Sequence, residues 1–381
     1  MRIVHVCGEL GFYGAENVVT QLVRNTDEPD LEVSVMTVNR WEHPEARASI
    51  DFPLVAIDRR GWGDAGFLGR MVGTLRGMRA DLVHTHAHHG RYWGRLAAAL
   101  AGVPAIVHTE HNPSLTPPRP RFVYDALNRA LAGRTVFVDF NEERRRRLTD
   151  FERVPLERVA VIPNGVDTIE RDAGARERAR AELGVGPGEI AVTVAARLFP
   201  QKRLDLAIDA LAALPEAERS RVKLVLIGDG PLRGELERQA GLRGVADRVR
   251  FFGFRLDARS LLPGADLALL SSAREAMPLA IIEAMLERAP VVSTPWDGAQ
   301  ALLGEGRFGR IADAFTAEAL AAALRAALAD PAETRRRAAA AFEHARLEFD
   351  VTTQARRYAA LYREVSAGTR AASPAITTAR S

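Results

Sequence analysis

Cysteine is almost missing: Cys7 is the only one in 381 residues. No disulfide can close within the chain, and a four-thiolate zinc site is excluded. Cys7 ends the apolar run Ile3-Val4-His5-Val6-Cys7, which reads as a buried strand. No apolar stretch reaches the ~20 residues a bilayer-crossing helix requires; the longest, Leu96 to Val107, is interrupted by Gly102 and Pro104. Met1-Arg2 leads straight into the first strand, without the apolar h-region or small-residue cleavage site of a secretory signal. A cytoplasmic protein is expected, free or resting on the inner membrane face.

A strong charge of either sign is also lacking. The 52 basic and 49 acidic residues leave a net charge of +3, too little for the electrostatic footprint of a nucleic-acid binder. The densest cationic run, Arg144-Arg145-Arg146-Arg147, follows Asn141-Glu142-Glu143 and reads as a solvated helix start. Lysine is the scarcest charge carrier: of the 52 basic residues, only Lys202 and Lys223 are lysines. A chain that uses arginine almost everywhere marks a lysine as a place for a compact point charge.

The length suits two domains better than one core. Strand and helix patterns alternate through the first part: strands at 3–7, 31–38, 81–84, 104–109, 135–138 and 159–162, with helices at 15–23 and 91–101 between them. A polar stretch, Thr168 to Arg180, follows, and the alternation restarts. Strands are expected at 190–195, 222–227, 249–252, 267–271 and 291–293, and helices at 204–214, 232–241, 258–262, 278–287 and 317–329. Such alternation implies parallel sheets with helices on both faces. The expected organisation is α/β, two Rossmann-like doubly wound domains, 1–166 and 167–345. A crossover helix at 346–367 returns to the first domain, and 368–381 forms a disordered tail. Ligands of such sheets bind beyond the carboxyl ends of the strands, so the chemistry is sought there, in a cleft between the domains.

Two strand–loop–helix units of the second half meet that condition. The first is Ala196-Arg197-Leu198-Phe199-Pro200-Gln201-Lys202-Arg203. Arg197 leaves a strand end and Lys202 falls in the first turn of a helix, so both cations can converge near a helix N-terminus on a diphosphate. The second unit runs from Ser271 to Met285. Pro278 suits a first helical position, the amides around Met277, Leu279 and Ala280 are left open, and Glu275 and Glu283 flank them. One carboxylate can take sugar hydroxyls, the other both hydroxyls of a ribose.

With these elements in place, the chain resembles the retaining glycosyltransferases of family four, which have the GT-B fold. The landmarks are Gly14-Ala15-Glu16, Pro163-Asn164-Gly165-Val166-Asp167, Arg197 through Lys202, Gly228-Asp229-Gly230-Pro231-Leu232, Phe252-Gly253-Phe254, and Glu275 to Glu283. The resemblance implies a nucleoside-diphosphate sugar as donor, a sugar or lipid-linked hydroxyl as acceptor, no metal and no other cofactor. Arg197 and Lys202 would neutralise the diphosphate, Glu283 would hold the ribose and Glu275 the transferred sugar. Main-chain groups near Gly253, Phe254 and Arg255 would face the base, with Gly14, Met277, Pro278 and Leu279 completing the donor pocket. Tyr13 replaces the family's first glycine of the N-terminal turn, Ala196 and Arg203 the glycines around the phosphate loop, and Ala289 the glycine before Pro290. Asp297-Gly298-Ala299-Gln300 departs from the usual glycine pair and glutamate.

Histidines gather after strands of the first half: His84, His86, His88 and His89, then His108 and His111. Alternation would put His84, His86 and His88 on one side, a conceivable metal set, but no acidic cluster completes it. His111 resembles the family's active-site histidine, and His108 is expected to be structural. Tyr13, Glu16, His86 and His111 form the expected acceptor side. Segments 62–79 and 117–134 combine arginine with aromatic residues, as a membrane-facing surface or as core-facing helices would. The competing readings are a nucleotide-sugar epimerase or sugar phosphorylase of the same architecture, and a non-catalytic binding protein.

Overall fold

A computed structural model describes residues 1–11, 14–39, 47, 49–61, 63–111 and 121–368. Tyr13, Trp62, the stretch 112–120 and the expected tail beyond 368 lie outside them. The chain divides into two compact units, Met1–Asp167 together with Asp350–Ser381, and Thr168–Phe349.

The first unit is built on seven strands: β1 (Arg2–Cys7), β2 (Glu32–Asn39), β3 (Leu54–Arg59), β4 (Leu82–His86), β5 (Ala105–Thr109), β6 (Thr135–Asp139) and β7 (Val159–Val161). They lie in the order β3-β2-β1-β4-β5-β6-β7, every pair parallel. Every residue of β4, β5 and β6 is buried, which explains their near-continuous apolar sequences: a central parallel strand is covered on both faces. The exceptions are histidines, threonines and Asp139, and they matter below.

The second unit repeats the plan with β8 (Ile190–Ala195), β9 (Val222–Ile227), β10 (Val249–Gly253), β11 (Leu267–Leu270), β12 (Val291–Ser293) and β13 (Arg310–Ile311). Their order is β10-β9-β8-β11-β12-β13, again parallel. One apolar core joins β8, β9 and β11 to the helices Leu204–Ala212 and Ala317–Ala329. In each sheet the strand order reverses at one place, between β1 and β4 and between β8 and β11. Loops leaving adjacent strands part in opposite directions there and open a crevice at the carboxyl ends.

The terminal region differs from the single crossover helix expected at 346–367. Two helices occupy this region, Pro331–Glu348 and Val351–Ser366. Asp350 breaks the run: its extended backbone leaves the first helix, and its carboxylate accepts the Thr352 amide at 2.9 Å to cap the second. The crossing helix therefore begins at Val351 and belongs to the first unit. Tyr358 and Tyr362 sit in the core with Ile3, Val107, Val136 and Ile162, and Arg363 holds Asp30 and Glu28 at the rim. Among the described residues no helix is long and apolar enough to cross a membrane.

Candidate functional site

In the second unit the two elements expected from the sequence meet at the crevice between β8 and β11. Lys202 lies in a short 3-10 turn, Pro200–Lys202, and not in the first turn of the following helix. Arg203 separates the two with a left-handed backbone (φ 47°). This break falls where the resemblance drawn from the sequence expects a glycine, and Lys202 just before it faces the loop after β11. Lys202 Nζ donates to Glu275 Oε1 at 2.6 Å, and the Ser272 hydroxyl donates to the same oxygen at 2.6 Å. The loops are laced by backbone as well: the Ala273 amide donates to the Gln201 carbonyl at 3.0 Å, and the Ser271 hydroxyl to the Lys202 carbonyl at 2.8 Å. The ammonium and the carboxylate are thus fixed relative to each other before any ligand arrives. Such preorganisation gives a charged site its strength.

The supporting layer explains the glycines of Gly228-Asp229-Gly230. A Cβ on Gly228 would stand 2.0 Å from the Ala196 carbonyl oxygen, and one on Gly230 2.7 Å from that of Leu198. Only glycine lets the loop after β9 lie directly beneath the Arg197 loop, where Leu198 N donates to Asp229 O at 3.0 Å. Gly228 N in turn donates to Gly253 O at 2.8 Å, so the ends of β8, β9 and β10 form one braced rim. Arg197 is exposed on this rim, its guanidinium 4.9 Å from the Phe199 ring centre. Phe254 is 45% exposed beyond β10. The Arg255 side chain is occupied, paired with Asp257 through two 2.7 Å bonds and with Glu182 at 2.6 Å.

Pro278 is not the first helical residue but the extended cap before it, and the helix runs Leu279–Leu286. Met277 and Pro278 therefore belong to the loop, with the first-turn amides of Leu279 and Ala280 following. Glu283 is inside this helix, eight residues after Glu275 and half-buried. Burial pushes its carboxyl above the ordinary range, while Arg259 pulls it down and Glu287 adds to the rise. Glu287 is held by Arg171 and Arg259 at 2.9 and 2.7 Å. A cavity of about 860 Å³ opens at the other end of the sheet, past Ile190, Leu267 and Pro290, and includes none of the expected donor residues.

In the first unit the crevice between β1 and β4 is lined by histidine. His5 Nδ1 is 3.0 Å from His86 Nε2, and His86 Nδ1 is 3.1 Å from His111 Nε2. His84 is saturated by hydroxyls, Nδ1 with Tyr362 at 2.7 Å and Nε2 with Thr109 at 2.8 Å. His108 is buried against the Thr85 hydroxyl at 2.9 Å, a structural role. The expected alignment of His84, His86 and His88 fails. β4 ends at His86, the chain turns into helix, and His88 is exposed on the surface. His5, a residue the spacing argument passed over, takes its place: His5, His84 and His86 bring nitrogens within 4.8 Å of one another. Gly14 opens the first helix, exposed, and the Glu16 carboxylate folds back against Gly11.

Beneath His111 lies a buried charge cluster that no local pattern announced. Arg91 pairs with Glu110, the neighbour of His111, and with Glu152 at 3.4 Å; all three are at most 3% exposed. Tyr124 donates to Glu152, and Arg95, wholly buried, donates to Asn128 at 2.9 Å. Arg91 is carried by a π-helical turn, Gly90–Gly94, a distortion often found at functional sites. Its glycines press on Thr85, where a Cβ would come within 3.0 Å at Gly90 and 2.8 Å at Gly94. Arg144 likewise departs from the solvated start expected of its run. It is buried, donating at 2.5 Å to Asp139, whose carboxyl burial pushes up to about 6 against the pull of that guanidinium.

Comparison with known proteins matches both units to one enzyme class. Residues 12–170 match the family described as Glycosyltransferase Family 4, and residues 175–344 that described as Glycosyl transferases group 1. The UDP-Gal:alpha-D-GlcNAc-diphosphoundecaprenol alpha-1,3-galactosyltransferase of Escherichia coli is 30% identical over 60% of this chain, which spans 61% of that relative's length. The D-inositol 3-phosphate glycosyltransferase of Actinosynnema mirum is 30% identical over 66% of this chain and 69% of its own. Among solved structures, Alr3699/HepE of Anabaena in complex with UDP superposes with a TM-score of 0.83. The match covers 96% of this chain and 100% of that one at 23% identity.

Proposed function

The chain belongs to the family 4, group 1 glycosyltransferases, and we propose that it moves a sugar from a UDP-sugar to a hydroxyl of a saccharide or lipid-linked acceptor, with retention, in envelope or exported polysaccharide synthesis. The observation that carries this reading is the Lys202–Ser272–Glu275 junction, fixed at the switch point of the second sheet.

In the transfer, the bond between the anomeric carbon and the diphosphate breaks, and the acceptor oxygen bonds to that carbon on the same face. The acceptor proton leaves with the departing phosphate oxygen. Negative charge grows on the diphosphate, and Lys202 and Arg197 meet it with the amides of Leu279 and Ala280. Lys202 turns its remaining N–H donors to the phosphate while staying on Glu275 Oε1, and the other Glu275 oxygen meets a sugar hydroxyl, with Ser272 keeping the carboxylate in place. Glu283, with its raised carboxyl, takes the ribose hydroxyls. In the first unit Gly14, Glu16 and His111 serve the acceptor and the transferred sugar; His86, expected beside them, is buried behind His111 with both ring nitrogens engaged and does not reach the ligand.

UDP is favoured as the carrier because the E. coli relative is named for UDP-Gal and the Anabaena structure contains UDP. The lipid-linked acceptor draws on the diphosphoundecaprenol in that relative's name. Peripheral contact with the inner membrane face is supported by helix Arg121–Leu131, where Phe122 and Val123 stand 72% and 55% exposed.

Thermal shift against UDP-, GDP- and ADP-sugars tests the donor. A true donor at 100 times its Kd adds about 2.7 kcal/mol of stability, and product NMR reads the anomeric configuration. Lys202→Ala is expected to lower kcat by roughly a hundredfold or more. Turnover near wild type in that variant, or no stabilisation by any nucleotide sugar, refutes the reading. Nucleotide-sugar turnover that ignores every acceptor but returns an epimer assigns the site to an epimerase instead.

A further inference from the structure

His5, His86 and His111 form one hydrogen-bonded file through the first unit. Its inner end is sealed: His5 is 0% exposed, and its Nε2 meets no polar partner among the described residues. Its outer end, His111, is partly exposed just past β5. Burial lowers the basicity of all three rings, His5 to about 3 and His111 to about 4, so each is neutral at working pH.

A neutral imidazole has one N–H and one bare nitrogen, so the file can run in only two directions. If His111 donates inward, His86 donates to His5, and the last proton is stranded on His5 Nε2 as a buried N–H with no acceptor. If His5 donates outward from Nδ1, His86 donates onward from its own Nδ1 and His111 accepts at Nε2. The unmatched group is then a bare ring nitrogen, and the final N–H is Nδ1 of His111. A stranded buried donor is the costlier mismatch, and folded proteins rarely contain one.

The geometry points to His5 and His86 as positioning residues that lock His111 in its Nδ1–H tautomer, making it a hydrogen-bond donor to an oxygen of the bound sugar or phosphate. The tautomer follows from the file alone; its use on a sugar rests on the function proposed above. His84 takes no part, because hydroxyls hold both of its nitrogens. For the same reason His84 offers no free nitrogen to a metal ion, and the grouping of His5, His84 and His86 is two members of the file beside a hydroxyl-bound neighbour.

Long-range ¹⁵N–¹H NMR of the full chain labelled at histidine reads each tautomer directly. The wild type is expected to show a protonated Nδ1 and a bare Nε2 on His111. His5→Phe removes the first donor, so His111 becomes a mixture of tautomers and kcat falls about fivefold to tenfold, the worth of one hydrogen bond. His5→Asn, whose amide nitrogen stands near the lost Nδ1, is expected to restore both. A wild-type His111 protonated at Nε2 overturns the inference, and that spectrum suffices even if His5→Phe does not fold. Unchanged His111 shifts in a folded His5→Phe also overturn it, as does one tightly bound zinc per chain that shifts the His5, His84 and His86 signals. A correct tautomer in a protein that turns over no nucleotide sugar leaves the file standing and removes the function instead.

Discussion

The two sheets share a strand plan but store polarity differently. The first unit carries it inside: His5, His84, His86 and His108 within the strands, and Arg91, Arg95, Glu110 and Glu152 packed below them, all buried. The second unit has a large apolar core and places its working charges on loops at the strand ends, where Lys202 and Glu275 keep some exposure. A diphosphate brings formal charge, and cations on a braced rim answer it. A neutral hydroxyl needs donors and acceptors held at fixed positions, and the mutual hydrogen bonds of a buried polar network hold them so.

Acid should separate the units most strongly. His5, His84, His86, His108 and His111 all titrate below their ordinary value because of burial. Below about pH 6.5 the unfolded chain takes up protons that the folded one refuses. Each such histidine then withdraws about 1.4 kcal/mol of stability per pH unit as the pH falls toward its folded value. The second unit has one such group, His344; a raised carboxyl acts in the opposite sense in each unit, Asp139 in the first and Glu283 in the second, since each gains its proton more easily in the folded state, but five histidines outweigh one carboxyl in the first. Hydrogen exchange at pH 7 and pH 5 should therefore show protection lost from β4, β5 and β6 while β8 and β9 keep theirs. Equal losses in both sheets would erase the distinction.

The contrast also explains what could be read from the sequence. Arg197, Lys202, Glu275 and Glu283 were legible because each sits in a strand–loop–helix segment whose local pattern announces it, and the rarity of lysine singled out Lys202. The paired parallel sheets followed from alternation alone. The first unit's network was legible only in its outer part, His86 and His111. Its deeper members come from distant segments: Arg91 from a turn after β4, Glu110 from the end of β5, Glu152 from the end of another helix. No periodicity links them, and each alone looks like a surface charge. His5 did leave a trace, as a polar residue inside an otherwise apolar strand. Such an intruder has to find a partner on a neighbouring strand, and here β4 supplies it.

Arg91→Met should have the next largest effect. It leaves Glu110 and Glu152 buried without their shared cation, which typically costs about 3–5 kcal/mol. Chemical denaturation followed through the first unit reads the loss. Because Glu110 adjoins His111, His111 should also shift in the NMR spectrum. A loss below about 1 kcal/mol would mean that the cluster relaxes as freely as a surface pair.

The matched change in the second unit should be the smallest. Glu287 is as buried as Glu110, but two guanidiniums reach it, Arg259 at 14% exposure and Arg171 at 30%. Arg171→Ala leaves the carboxylate with Arg259 still at 2.7 Å, so no charge is orphaned and water replaces the lost donors. A destabilisation of about 1 kcal/mol or less is expected, measured by the same denaturation assay. Removing a cation is severe where solvent is excluded from the carboxylates it served, and mild where a second guanidinium and water reach the one that is left. A loss for Arg171→Ala equal to that for Arg91→Met would show that depth alone, rather than redundancy of partners, sets the penalty in both sheets.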